Sequence, residues 1–181
     1  MKYNAAITLP VNPPSVSPIL TQSQCWEGLI VKAREPQAFV PISECTITED
    51  RGDAGITRRV KFIEGKGPVE GEAVEVITYF KPMKVKRVSV SCHRLNGVNA
   101  TRLALQLEFH MLEATLDVTN FLSFGSNDEL YLTFAFAMEF PGVEEGSAEA
   151  NKRADRMRAM GLKAVQQTID VTRQLVTDGK L

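Results

Sequence analysis

Large apolar side chains take every second position over Leu130–Phe140, in the stretch LYLTFAFAMEF, and the same alternation runs over Met1–Val11. A period of two over this length predicts strands with one buried face. Shorter strand-like runs with turn residues between them are Cys45–Asp50, Ile56–Glu64, Val69–Phe80, Leu107–Leu112 and Thr115–Phe124. Consecutive strands joined by short turns predict an antiparallel meander.

Two other segments have the helical period. The first begins with the capping-box sequence TQSQ at Thr21, and apolar residues then recur at three- and four-residue spacing to about Arg34. A short second helix or turn is predicted over Gln37–Ile42. The last segment runs without proline from Ser147 to Gly179. It predicts a helix of about 32 residues and about 48 Å, long enough to cross the whole sheet.

The alternating stripe near the end of the chain is predicted to face this C-terminal helix. The apolar face of the helix is made mostly of small residues, among them Ala154, Gly161, Ala164 and Thr168. Two interpretations stay open. Either the small residues let the helix pack closely on the sheet, or a curved sheet and a small-faced helix leave a cavity for a ligand. The order of elements is that of an α+β helix-grip fold.

Length and composition limit the class of protein. The 181 residues are 44% hydrophobic with a net charge of −1, which indicates a single domain over 1–181 with a sizeable core. No run of apolar residues approaches a membrane span, and no global charge favours nucleic acid. Three cysteines without CxxC spacing predict neither a disulfide framework nor a zinc site, and favour a reduced, cytoplasmic setting.

Both ends of the chain carry extended motifs. PVNPP…PILTQSQCWEGLIVKAREPQAFVP near the start, and DELYLTFAFAMEFPGVEEGSAEA with VQQTIDVTRQLVTDGKL near the end, resemble the signatures of the AtaL-like family. This family belongs to the START-like, Bet v 1-like (SRPBCC) superfamily. The resemblance implies about seven antiparallel strands wrapped around a long C-terminal helix, two short helices after the first strand, and an interior cavity. It therefore favours the cavity, and it brings no catalytic residue.

The segment Val85–Gln106 departs from the family pattern, and the seven strands counted above are complete without it. No acidic residue and six Lys or Arg occur between Lys81 and Leu107. Three interpretations stay open: a loop that binds nucleic acid or phosphate, an ordinary insertion, or a retained intron.

The retained-intron interpretation is testable on the transcript. Valine codons begin with GT and glutamine can be CAG, so the segment would be bounded by splice-site dinucleotides and would stay in frame. If it is an intron, transcript reads will join the codons of Lys84 and Leu107. Uniform read coverage through the segment would exclude it.

A few polar residues occupy positions that the alternating pattern predicts to face the interior. Arg58 interrupts an apolar stripe, and a two-residue turn at 66–67 would set it opposite Glu75. The pair would line the cavity and orient a ligand carbonyl or stabilise an enolate; the alternative is a register shifted by one, with both in water. Asn120 would bind a ligand or satisfy backbone at a bulge. Thr168 would donate inward or bond its own helix carbonyl.

The candidate cavity residues are therefore Arg58, Val60, Phe62, Glu75, Asn120, Leu132, Phe134, Phe136, Met138, Met157, Gly161, Ala164 and Thr168. Glu108 and His110 share a strand face and could form a metal pair, but the neighbouring apolar residues favour a solvent position for His110. No P-loop, GxGxxG, nucleophile elbow or HExxH occurs. No cofactor and no metal are therefore expected.

Three functions are compatible with this sequence. The first is binding of a hydrophobic small molecule between sheet and helix, as a carrier or binding protein. The second, a class found among relatives in the superfamily, is a cyclase- or dehydratase-like enzyme of secondary metabolism on a polyketide-like substrate. It would use Arg58 as charge stabiliser and Glu75 as base, with Asn120 orienting the substrate. The third is a chaperone-associated protein-interaction module. The expected partner is a small molecule rather than nucleic acid, and the sequence does not define an oligomeric state.

Overall fold

One curved antiparallel sheet forms the body of the molecule. The computed structural model describes residues 1–67, 71–91 and 115–181. The strands in this part of the chain are β1 (Lys2–Pro10), β2 (Ile42–Asp50), β3 (Gly55–Phe62), β4 (Glu72–Phe80), β5 (Lys84–Ser91), β6 (Thr115–Phe124) and β7 (Leu130–Glu139). They form one seven-stranded sheet in the order β1-β7-β6-β5-β4-β3-β2. The predicted meander is confirmed, with β1 closing the sheet against β7.

The helices begin where the sequence predicts. Helix α1 (Gln22–Arg34) starts at a complete capping box, in which the Gln24 amide donates to Thr21 Oγ1 at 3.2 Å. Single 3₁₀ turns follow at Pro36–Ala38 and Gly52–Ala54. Helix α2 (Ala148–Thr177) has 30 residues and Ser147 as its N-cap. The helix-grip architecture with two short helices after β1 is confirmed. Among the described residues, no helix is long and apolar enough to cross a bilayer.

Strand β5 differs from the expectation. The strand count was predicted to be complete without Val85–Gln106, yet the sheet takes Lys84–Ser91 as its fifth strand, with Lys86 opposite Thr78 on β4 and Thr119 on β6. The strand signal is weak there because the inward positions include Arg87 and Ser89. The expected strand at Leu107–Leu112 lies outside the described residues. The interpretation of the segment as an insertion or retained intron stays a prediction.

The alternating stripe of β7 faces α2. Leu130, Leu132, Phe134, Phe136 and Met138 are all buried. The helix approaches closely at one point, since a Cβ on Gly161 would lie 2.6 Å from the Phe136 ring and 2.7 Å from the side chain of Ile7. Close packing is therefore found at this crossing, and the open volume lies beside it.

Helix α1 closes the other side of the core by packing against α2. A side chain on Gly28 would overlap the side chain of Thr172, so the two helices touch through backbone and small atoms. Trp26 on α1 makes an edge-to-face contact with Tyr79 on β4, with ring centroids 6.4 Å apart. These contacts fix the inner face of α1 over the sheet.

Candidate functional site

A cavity of about 540 Å³ lies between the sheet and α2. This volume falls within the range of small-molecule sites. Apolar side chains from both layers form most of its wall, including Leu29, Phe39, Phe62, Ile77, Val85, Leu116, Val118, Phe134, Phe136, Met157 and Met160. Polar side chains are concentrated at its inner end and at its mouth. Of the two interpretations of the small-faced helix, the cavity that the family resemblance favoured is therefore present.

The mouth lies between the turn after β3, the segment before β2 and the middle of α2. Arg156 donates to the Gly65 carbonyl at 3.2 Å, and Gln167 donates to the Ala38 carbonyl at 2.9 Å. These two bonds tie the helix to both loops. Lys66 and Lys163 also border the opening. None of the described residues that line the cavity is acidic, so the charged side chains at its wall are all lysines and arginines.

Arg58 and Glu75 form a buried ion pair at the inner end. They are opposite in register, as predicted, and only 3% and 0% of their side chains are exposed. Arg58 Nε lies 2.7 Å and Nη2 2.6 Å from Glu75 Oε2. The alternative with both in water is excluded. The predicted register between β3 and β4 is found although β3 ends at Phe62 and β4 begins at Glu72. The connection between them is therefore longer than the expected two-residue turn.

The remaining contacts of this pair are structural. Arg58 Nη1 donates to the carbonyl of Lys32 at 3.0 Å and to that of Ala33, which satisfies the last turn of α1. Glu75 Oε1 accepts from Arg87 Nη1 at 2.8 Å and from Ser89 Oγ at 3.1 Å. Burial raises the pKa of Glu75, but Arg87 and Arg58 outweigh it and hold the pKa below its usual range. Glu75 is thus a poor base.

Lys32 is a functional candidate that the sequence analysis did not find. It extends from the last turn of α1 to the cavity, where its Nζ donates to Thr168 Oγ1 at 2.9 Å. The same nitrogen lies 3.8 Å from the centroid of the Phe134 ring. Burial, followed by the charges of Arg87 and Arg58, lowers the pKa of Lys32 well below its usual range.

Asn120 carries an unpaired oxygen at the inner end. Its Nδ2 donates to the Val85 carbonyl at a long 3.4 Å, while its buried Oδ1 has no partner in the described part of the chain. Asn120 is opposite Phe134 in register, so it is next to the ring that Lys32 covers. Buried side-chain oxygens are normally hydrogen-bonded, so this atom is suited to accept from a donor group of a guest. Arg87 Nε is also buried without a described partner.

The structure separates the predicted site residues into two groups. Arg58, Phe62, Asn120, Phe134, Phe136, Met157, Gly161 and Ala164 line the cavity, whereas Val60, Glu75, Leu132, Met138 and Thr168 do not. Val60 packs in a separate apolar cluster with Ile42. The Thr168 hydroxyl accepts from Lys32 and donates to the Ala164 carbonyl of its own helix at 2.7 Å. This is the second of the two roles predicted for Thr168.

The metal pair considered at Glu108 and His110 lies outside the described residues. In residues 1–67, 71–91 and 115–181, no three His, Cys, Asp or Glu side chains are placed to hold a metal ion.

A comparison with known protein families assigns the chain to a family. The family model described as acetylaranotin biosynthesis cluster protein L, AtaL, matches residues 5–179. The chain belongs to the AtaL family. This match runs from β1 to the end of α2 and so includes every element around the cavity. No curated protein matches the chain in sequence.

Solved structures share the architecture of this AtaL-family chain at low identity. The Zhui aromatase/cyclase from Streptomyces sp. R1128 has a TM-score of 0.59 and 8% identity over 97% of this chain and 95% of that one. The di-domain ARO/CYC StfQ from the steffimycin biosynthetic pathway has a TM-score of 0.63 and 9% identity, over 97% of this chain and 52% of that one. Ara h 8.0201 has a TM-score of 0.52 and 11% identity, over 93% of this chain and 97% of that one. Such identities establish the fold rather than the activity.

Proposed function

We propose that this AtaL-family protein binds an apolar small molecule in the cavity between sheet and α2, as a carrier or binding protein. The observation that carries the proposal is a cavity of about 540 Å³ with mostly apolar walls and polar groups at its inner end and its mouth. Apolar walls supply affinity, and converging polar groups fix the orientation of a guest. An interior of this kind also favours a small molecule over the protein-interaction role.

The charges around the cavity narrow the class of guest. Arg58 and Arg87 line the inner end as two cations that share the single carboxylate of Glu75, and no described acidic side chain lines any part of the wall. A cationic guest would be repelled from such a site, whereas a carbonyl, phenol or carboxylate oxygen would be attracted. The proposed guest is therefore an apolar molecule with electron-rich oxygen atoms. The cytoplasmic setting stays part of the proposal.

A cyclase-like enzyme on the same scaffold is the second candidate. Asn120 Oδ1 and Arg87 Nε lack described partners beside the cavity, which supports polar contact with a reacting guest. Two of the similar structures are described as an aromatase/cyclase and an ARO/CYC, which agrees with this chemistry at the level of fold. A carrier releases the molecule that it bound, and an enzyme releases a changed one. Mass spectrometry of the released guest separates the two.

Filling the cavity tests the binding proposal. Ala164 lines the cavity from α2, so Ala164→Phe will weaken binding of anilinonaphthalene sulfonate at least tenfold, about 1.4 kcal/mol. The matched control is Ala159→Phe, which places the same side chain on an exposed position of the same helix. Fluorescence titration measures both dissociation constants. Equal affinity in the two variants, or no binding to the native protein, would contradict the proposal.

A further inference from the structure

The surroundings of Lys32 are unusual for a lysine. Its Nζ contacts a hydroxyl and an aromatic face, the Thr168 Oγ1 and the Phe134 ring, and among the described residues it forms no salt bridge. The nearby carboxylate of Glu75 is bonded to Arg58, Arg87 and Ser89. Lys32 thus lies in a mostly apolar cavity near two arginines, and no carboxylate in the described part of the chain pairs with it.

Such surroundings favour the neutral amine. The charged groups that act on it are Arg58 from β3, Glu75 from β4 and Arg87 from β5, and the side chain that α2 presents to it, Thr168, does not titrate. Removal from water and the like charges of Arg58 and Arg87 disfavour the ammonium form. The Phe134 ring face and the Glu75 carboxylate favour it, but more weakly. The net direction is a lowered pKa for Lys32. A lysine near other cations or in an apolar pocket is the kind that serves as a nucleophile.

We propose that the Lys32 amine condenses reversibly with the carbonyl group of an aldehyde or ketone guest and holds it as a Schiff base. The inference rests on the proposed function, because the guest must first enter the cavity. It goes further by naming the bond and the functional group.

The reaction balances without a further reagent. The nitrogen lone pair attacks the carbonyl carbon, the carbon–oxygen π pair moves to oxygen, and the amine proton follows it to give a carbinolamine. Loss of the hydroxyl with the second amine proton releases one water and leaves the imine. Hydrolysis reverses each step. Arg87 and Asn120 line the same end of the cavity, where Arg87 Nε and Asn120 Oδ1 have no described partners. Arg87 Nε donates to the carbonyl oxygen, and Asn120 Oδ1 accepts from the departing water.

Reductive trapping tests the proposal on the intact protein. We would incubate it at neutral pH with methoxynaphthaldehyde and sodium cyanoborohydride, then locate the secondary amine by peptide mass spectrometry. The expected result is labelling of Lys32 at least tenfold faster than of Lys163, which lies at the cavity mouth and is exposed. Lys32→Arg, checked for folding by circular dichroism, will lose the fast label, and Lys163→Arg will keep it.

A carbonyl-free probe distinguishes failure of the chemistry from failure of the cavity. Methoxynaphthalene has the same ring system but cannot form an imine, so its fluorescence reports binding alone. If it binds while Lys32 is labelled no faster than surface lysines, the Schiff base is overturned and the binding proposal stands. If it does not bind and Lys32 is not labelled, both are overturned.

Discussion

Glu75→Gln will destabilise the protein by about 3–5 kcal/mol, the usual cost of removing one member of a buried charge network. Glu75 is the sole described carboxylate that bonds Arg58 and Arg87, and it is completely buried. Without its charge, both guanidinium groups stay inside the core with no counter-ion. Urea-induced unfolding followed by circular dichroism measures the loss.

Glu72→Gln is the matched control. Glu72 is on the same strand and pairs with Arg59, but both side chains are about half exposed, 44% and 47%. Exposed pairs of this kind contribute about 0–1 kcal/mol. We therefore expect a near-native unfolding midpoint for this variant. Similar losses in the two variants would show that the inner ion pair does not carry the stability assigned to it.

Acid sensitivity gives an independent test of the same carboxylate. Because the folded-state pKa of Glu75 is lowered, its contribution is complete above the unfolded-state pKa, about 4.3, and is lost as the pH falls towards the folded-state value. The native protein will lose more stability than Glu75→Gln on acidification below roughly pH 5. Parallel pH profiles would contradict the lowered pKa.

The ion pair also connects the fold to the candidate chemistry. Arg58 links β3 to Glu75 on β4 and to the final carbonyls of α1, one of which belongs to Lys32 itself. These hydrogen bonds therefore fix the position of the Lys32 backbone relative to the sheet. Its side chain then reaches Thr168 and the Phe134 ring. On this basis Arg58 and Glu75 are positioning residues, and the groups available to a guest are Lys32, Arg87 and Asn120.

Parity along strands, together with an expected turn centred on 66–67, predicted the Arg58–Glu75 pair and left a register shifted by one as the alternative. The two residues are equidistant from the turn, so a longer connection centred on the same point leaves the register unchanged. The alternation on β7 likewise predicted which side chains face α2. Both inferences depend only on the period of two within a strand and on hairpin symmetry, which are local properties.

Lys32 was missed because its position depends on how α1 packs against the rest of the molecule. In the sequence it is one of two basic residues, with Arg34, in the last turn of a helix, where such side chains normally lie in solvent. One signal was available: Lys32 is three residues after the buried Leu29 and next to the buried Ala33, on the apolar face. The contact of Gly28 with Thr172, which brings that face to the cavity, cannot be read from local periodicity.

The same limit explains why some predicted residues do not line the cavity. Leu132, Phe134, Phe136 and Met138 share one face of β7, but only the two phenylalanines border the open volume. The crossing point of α2, set by Gly161 against Phe136, decides where the interior is filled. A period of two identifies the inward face of a strand and contains no information on the path of the helix above it.

The stability costs of Leu122→Ala and Leu116→Ala will differ, because one side chain lies in the packed core and the other lines the cavity. Both leucines point inward from β6, and each is 2% exposed. Leu116 lines the cavity, whereas Leu122 lies away from it and opposite Leu132 in the register with β7. We expect Leu122→Ala to cost about 3–5 kcal/mol and Leu116→Ala about 2 kcal/mol.

The difference arises from the volume that each substitution leaves behind. Truncation in a filled core removes the transfer energy of the lost atoms and also creates a new void, while truncation at an existing wall only enlarges a space that is already there. Unfolding in urea measures both losses, and titration with anilinonaphthalene sulfonate should show a changed dissociation constant for Leu116→Ala alone. Equal costs, with binding unaffected by either substitution, would mean that the interior between sheet and α2 is uniformly packed, and the binding proposal would fail with it.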